Sequence, residues 1–167
     1  MKKSLSVGVF DLVHAGHFNL FWHASQIADE VHVGIASDAL AREFKGYDRP
    51  FFALRERVYL IQGCKYVDKV HVYGCDTSTK DDNEDALRAL VAKVCPDFFV
   101  EGEDKKGSDL KGYIEDLGIE RVSTPRLGTH VTTSTYIRAI RQEMPVKDRK
   151  FIEARDKASR YLSLIHI

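Results

Sequence analysis

From Leu5 to Arg141 short apolar strands alternate strictly with helices, and this constrains the fold more than any other feature of the chain. Leu5 to Val9 reads as a strand. Phe18, Leu20, Phe21, Ala24 and Ile27 then recur at helical spacing. Val31, Val33 and Ile35 alternate as a second strand, Asp38 caps a short helix, and Lys45 to Phe52 (KGYDRPFF) is a turn-rich loop. A helix over Leu54 to Ile61 leads to a strand at Val70 to Tyr73, and Asp76 to Asn83 is a polar loop. Ala86 to Val94 forms a helix ending before Pro96, and Phe98 to Val100 a fourth strand. A helix over Tyr113 to Leu117 stops at Gly118, Arg121 to Ser123 is a fifth strand, and Ser134 to Arg141 a last helix. Parallel neighbours need crossover helices, so this alternation predicts an α/β fold with a single doubly wound, parallel five-stranded sheet.

No internal repeat or linker interrupts residues 1–142, which read as one domain. Residues 143–161 are charged, contain Pro145 and read as a helical extension. Residues 162–167 (LSLIHI) look like the translation of a sequencing-adapter end, and are expected to be dispensable. Lys and Arg total 25, as do Asp and Glu, so no global field draws the chain to nucleic acid or membrane, and an anion site has to be built locally. No signal peptide or bilayer-long apolar run is evident, so a cytoplasmic location is expected. Cys64, Cys75 and Cys95 show no metal-ligand spacing and read as reduced, buried thiols.

The first strand runs into GVFDLVHAGH, residues 8–17. In an open parallel sheet, ligands bind beyond the carboxyl ends of the strands. The loop after Val9-Phe10-Asp11 feeds a helix whose first amides lack partners and attract phosphate. Gly16 is expected to let backbone approach a ligand, with His14 and His17 donating N–H groups to the same phosphate. Zinc binding by the two histidines is the rival reading; it lacks an HExxH motif or a cysteine cluster, and no protein metal site is expected. Among the other aromatic and basic residues, Phe18, Phe21 and Trp22 read as core, His23, His32 and His71 as ordinary helix or strand residues, and Arg55 as structural.

HAGH resembles the HxGH signature of the nucleotidyltransferase superfamily, which includes glycerol-3-phosphate, choline-phosphate and ethanolamine-phosphate cytidylyltransferases and heptose-phosphate adenylyltransferases. The resemblance runs from about Ser4 to Arg141. Lys45-Gly46-Tyr47 falls at the family's phosphate-binding lysine and Arg57 at its helical arginine; KYVDKV (65–70) resembles its RYVDEV, and Thr133-Ser134-Thr135 its STT/STS motif. Val9 stands where many members have Thr, and Pro125-Arg126 resembles the PR of PRTEGIST, although Leu127 to Thr132 does not repeat TEGI. Glu101-Gly102-Glu103-Asp104 replaces GDD or GGD, and FKGYDRP resembles the LKGxGRP-type loop of the heptose-phosphate enzymes.

The resemblance implies a Rossmann-like nucleotidyltransferase fold and an enzyme that moves a nucleotidyl group from a nucleoside triphosphate to a small phosphate monoester, releasing pyrophosphate. CMP transfer from CTP to a phospho-alcohol is the first expectation, and adenylyl transfer from ATP to a heptose phosphate the alternative. A non-catalytic nucleotide-binding module is a third reading, opposed by the intact motifs. The implied catalytic residues are His14, His17, Lys45 and Arg126. Nucleotide binding falls to Val9, Phe10, Gly16, Arg57, Gly102, Thr133, Ser134 and Thr135, and substrate binding to Asp11 and Arg57, with Asp11 also orienting its loop and Arg57 anchoring either the acceptor phosphate or the loop. Mg²⁺ is expected to arrive with the triphosphate. Nucleic acid and membrane are not expected partners; relatives are often dimers, so a homodimer is.

Overall fold

A computed structural model describes residues 1–74, 80–103, 111–125 and 137. Ten elements follow in order: β1 (Lys3–Gly8), α1 (Ala15–Ile27), β2 (Glu30–Ala36), α2 (Asp38–Lys45), α3 (Leu54–Gln62), β3 (Lys69–Tyr73), α4 (Lys80–Val94), β4 (Phe98–Gly102), α5 (Lys111–Asp116) and β5 (Glu120–Thr124). The strands form one sheet in the order β3-β2-β1-β4-β5. Every pairing is parallel, with Ser4 opposite both Val31 and Phe98. The expected doubly wound five-stranded sheet is therefore present. The last expected helix lies outside the described residues except Ile137, which is buried, as do the 143–161 extension and residues 162–167.

The two faces of the sheet bury different clusters. Val31, Val33 and Ile35 point to one side, where they meet Phe21 and Ala24 of α1 and Ile61 of α3. Leu5, Ala36 and Phe99 point to the other, against Leu40, Leu90, Val91 and Ile114. Burying each large apolar side chain contributes roughly 1.5–3 kcal/mol, so both layers are needed to hold so short a sheet. Gly34 permits the close approach of α4: a Cβ there would meet Leu90 Cδ2 at 2.6 Å.

Several local expectations shift. Val9 lies beyond β1, because the chain turns there into the site. Ser37, not Asp38, caps α2, its hydroxyl accepting from Leu40 N at 3.2 Å; Asp38 is the first helical residue. α4 begins at Lys80, so the expected polar loop is shortened from its far end. Phe21 is core, but Phe18 and Trp22 are 42% and 41% exposed, since that side of α1 faces away from the sheet. Cys64 is buried as expected, whereas Cys95 is exposed just past the end of α4; Cys75 lies outside the described residues.

Candidate functional site

The strand order reverses at β1, with β2 and β3 on one side and β4 and β5 on the other. Crevices for ligands open at such a switch point. The loop from Val9 to His14 sits at the carboxyl end of β1 and delivers the chain to the N-terminus of α1.

This loop is strained and held from below. Phe10 and Leu12 have φ of 51° and 49°, the left-handed region, which costs a non-glycine residue about 1–3 kcal/mol each. Burial of the Phe10 ring offsets its share. The ring is 4% exposed, with centroids 5.3 Å from both His17 and Phe21. Phe10, expected to bind nucleotide, thus places its side chain in the core as a floor under His17.

His14 caps α1: its Nδ1 accepts the Gly16 N–H at 3.1 Å. The N–H of His14 in turn points to His17 Nδ1 at 3.4 Å, and the two rings stack with centroids 4.0 Å apart. An Nδ1 that accepts a hydrogen bond carries no proton, so this geometry puts the N–H of both neutral rings on Nε2. Burial lowers the His14 pKa below its ordinary 6.5, which favours the same neutral form. Gly16 is also required by the cap itself. A Cβ there would lie 2.9 Å from His14 Cε1 and 3.0 Å from Nδ1, so the glycine makes room for the capping ring.

Asp11 and Arg57, for which the sequence offers both a ligand-binding and a loop-holding role, are both enclosed. Asp11 is 2% exposed and Arg57 0%. The Asp11 carboxylate accepts from Arg49 Nε (2.8 Å) and from the amides of Phe51 (2.9 Å) and Phe52 (3.0 Å). Arg57 donates to Val9 O (2.5 Å), Phe52 O (3.1 Å) and Asp38 Oδ1 (2.7 Å). Their polar atoms are thus spent on joining the HAGH loop to the KGYDRPFF loop. The orienting role expected of Asp11 is the one its geometry supports, and Arg57 has the same kind of place.

The tip of that second loop is open. Lys45 ends α2, Gly46 turns with φ 96°, and residues 45–48 are exposed. Lys45 forms no ion pair among the described residues and opens a loop whose far end is pinned to Asp11 through the amides of Phe51 and Phe52. Gly102 ends β4 opposite Thr124, and its neighbour Glu101 is paired with Arg121. Arg126, Thr133, Ser134 and Thr135 lie outside the described residues.

Two residues that carry no motif in the sequence make long-range contacts here: Arg49 with Asp11, and Asn19, whose Nδ2 donates to Pro125 O at 2.9 Å. The only sequence signal for Arg49 was its place before Pro50; Asn19 gave none beyond a polar residue two positions after HAGH. Among the described residues no group of three or more His, Cys, Asp or Glu side chains could hold a metal ion. No helix among them is long and apolar enough to cross a membrane.

Comparison with known proteins agrees with this geometry. The bifunctional protein HldE of Streptomyces coelicolor is 34% identical over 134 residues, covering 79% of this chain and 27% of that protein. HldE of Campylobacter concisus is 33% identical over 111 residues, 66% of this chain and 22% of that protein. The chain thus spans about a quarter of the length of the curated relatives it matches. Among solved structures, the lipopolysaccharide core biosynthesis protein of Thermoplasma volcanium superposes with a TM-score of 0.59 at 28% identity, covering 75% of this chain and 96% of that one. Pantothenate synthetase of Thermus thermophilus shares the fold alone, with a TM-score of 0.53 at 16% identity over 83% of this chain and 65% of that one. The model of the family described as cytidylyltransferase-like matches residues 5–144, nearly the whole stretch of alternating strands and helices, and the chain therefore belongs to that family of nucleotidyltransferases.

Proposed function

We propose that the HAGH loop is where a phosphate monoester attacks the α-phosphorus of a nucleoside triphosphate. The observation that carries this reading is the stacked His14–His17 pair at the N-terminus of α1, each Nδ1 facing a backbone N–H, at the switch point of the sheet. A monoester oxygen forms the new P–O bond, the bond from the α-phosphorus to the bridging oxygen breaks, and pyrophosphate leaves with the electron pair. The attacker is already an anion, so no strong base is required, and catalysis is positioning plus charge stabilisation. The Nε2–H groups of His14 and His17 serve the charge that builds on the α-phosphate oxygens, helped by the terminal amides of α1. Lys45 brings a point charge on its pinned loop, and Arg126 supplies a guanidinium fork. Val9, Phe10, Gly16 and Gly102 shape the nucleotide side through backbone, and Thr133, Ser134 and Thr135 meet the distal phosphates. Asp11 and Arg57 act through the loops they join.

Mg²⁺ belongs with the triphosphate in this reading. The carboxylates beneath the loop are engaged, Asp11 by three N–H donors and Asp38 by Arg57, so the described residues fit no protein-built cation cage there.

For the substrates we favour adenylyl transfer from ATP to a sugar phosphate. The HldE relatives, the solved relative named for lipopolysaccharide core biosynthesis and the FKGYDRP loop all support it. Cytidylyl transfer from CTP to a phospho-alcohol is the second reading, supported by the family description and by KYVDKV and Pro125-Arg126. Pyrophosphate release with ATP or CTP against a panel of sugar, polyol and amino-alcohol phosphates separates them. The expected result is turnover with ATP and a sugar phosphate, and a loss in kcat of about 10²–10³-fold in His17→Ala at unchanged Tm. A nucleotide trapped covalently on His14 or His17 would refute direct in-line attack.

A further inference from the structure

Arg49 lies on the KGYDRPFF loop, and its side chain is only 11% exposed. Its Nε donates to Asp11 Oδ2 at 2.8 Å, and its Cζ sits over the Phe51 ring, 5.6 Å from the centroid. Asp11 stands three residues before His14, so this contact brings the guanidinium to the HAGH loop.

The bond to Asp11 uses Nε alone. Among the described residues, the buried side-chain polar atoms without a partner belong to Ser4, Ser6, Glu101 and Arg121. Nη1 and Nη2 of Arg49 carry no hydrogen bond there and are not in that group, so both reach the surface. A guanidinium is a planar fork of five N–H donors; with Nε–H engaged, the end-on pair of Nη groups is left to receive an oxyanion. The neck of the fork is held by Asp11 and its face by Phe51, so little freedom is lost when it binds. Arg57 is the opposite case: it is fully buried, and its three donations all turn inward. Of the two arginines that tie the loops together, one is sealed and the other keeps its fork outside.

We propose that Arg49 clamps the phosphate of the acceptor monoester. Nη1 and Nη2 donate to two of its three terminal oxygens and leave the third to attack the α-phosphorus. This rests on the functional reading above, in which the attack takes place at the HAGH loop. The acceptor is a dianion that has to approach a triphosphate, so it needs a cation that offsets the repulsion and fixes the direction of approach. Lys45 offers a point charge on an exposed, flexible stem. Arg49 offers a fixed fork, which suits a phosphate that must be oriented as well as held.

The test is Arg49→Gln beside Arg49→Leu. The side-chain nitrogen of glutamine is as many bonds from Cα as Nε of arginine, so Arg49→Gln keeps a donor for Asp11 and removes the fork and its charge. Arg49→Leu removes both. Three quantities are read on the full chain: Tm; kcat and KM for acceptor and triphosphate separately, with the best of the sugar, polyol and amino-alcohol phosphates; and the Nε–Hε NMR signal of Arg49 during titration with inorganic phosphate. In Arg49→Gln we expect a Tm within about 2 °C of the parent. Its kcat/KM for the acceptor should fall about 10–100-fold, mainly through KM, while KM for the triphosphate stays within about twofold. Arg49→Leu should show the same loss together with a lower Tm. The parent's Arg49 signal should shift and saturate with phosphate. Parental kinetics in Arg49→Gln would overturn the proposal, since Arg49 would then only hold the loop; so would a loss that falls on KM for the triphosphate. If the parent transfers no nucleotide to any acceptor, the functional reading itself fails. The titration then still decides whether Arg49 takes a phosphate group, an unmoved signal refuting it.

Discussion

Replacing Arg57 separates a residue that holds the site from one that touches ligand. Its side chain is fully buried and donates to three acceptors on three segments. Arg57→Ala leaves Val9 O and Phe52 O without that donor, at about 1–3 kcal/mol for each buried group left unsatisfied. Asp38, with its side chain 26% exposed, turns to water and adds little. The emptied volume contributes further, so the expected destabilisation is about 3–5 kcal/mol. For a domain of this size that is a fall in Tm of about 6–20 °C. Arg57→Lys should retain only a small part of the stability, because one ammonium on a flexible stem cannot reproduce a fork shared by three acceptors. Val9 lies next to strained Phe10, so the loss of its anchor lets the loop relax and displaces the histidines. In the cold, where the variant is still folded, kcat should fall about 10²-fold. Thermal and urea denaturation, with kinetics well below the variant's Tm, measure both effects. A variant that melts within about 2 °C of the parent and shows only a raised KM for the acceptor would refute the argument, since Arg57 would then face ligand.

Gly16→Ala should gain helix propensity of up to about 1 kcal/mol, yet lose activity, because the new methyl displaces the His14 ring from its cap. Equal activity in the two proteins would show that the ring position does not matter. Asp11→Asn puts an amide donor among three N–H donors, so the loop base should loosen by about 1–3 kcal/mol and trypsin should cut faster after Lys45; an unchanged cleavage rate would count against the pinning role. Stability should fall on acidification. Burial first, and then the charges of His32, Lys93 and Lys69, hold the His71 pKa below 6.5, and burial holds His14 below it too. Between those depressed values and 6.5 the unfolded chain binds more protons, so ΔG of unfolding drops as pH falls through that window. The contact links Glu30 to His32 (3.1 Å) and His32 to His71 (2.9 Å), and hydrogen bonds from His32 and Lys69 lower the Glu30 pKa, which adds a loss at more acid pH still. His71→Gln should flatten the first decline in Tm, and a Tm that stays level from pH 7 to about pH 5 would sink the idea.

The alternation of strands and helices was enough to specify the parallel sheet, because parallel neighbours require crossovers and each face requires its own apolar stripe. HAGH was legible for a similar reason: cap, helix start and histidine pair all lie within ten residues, so sequence proximity is spatial proximity. The partners of Asp11, Arg49, Arg57 and Asn19 were not legible in this way. Their partners lie 38 to 106 residues away, apart from the nearer contacts of Arg57. A charged or amide side chain looks the same in sequence whether it meets phosphate or closes a loop. What decides is whether its polar atoms remain exposed after the sheet has brought those segments together, and burial of that kind belongs to the packed chain, not to the residue type.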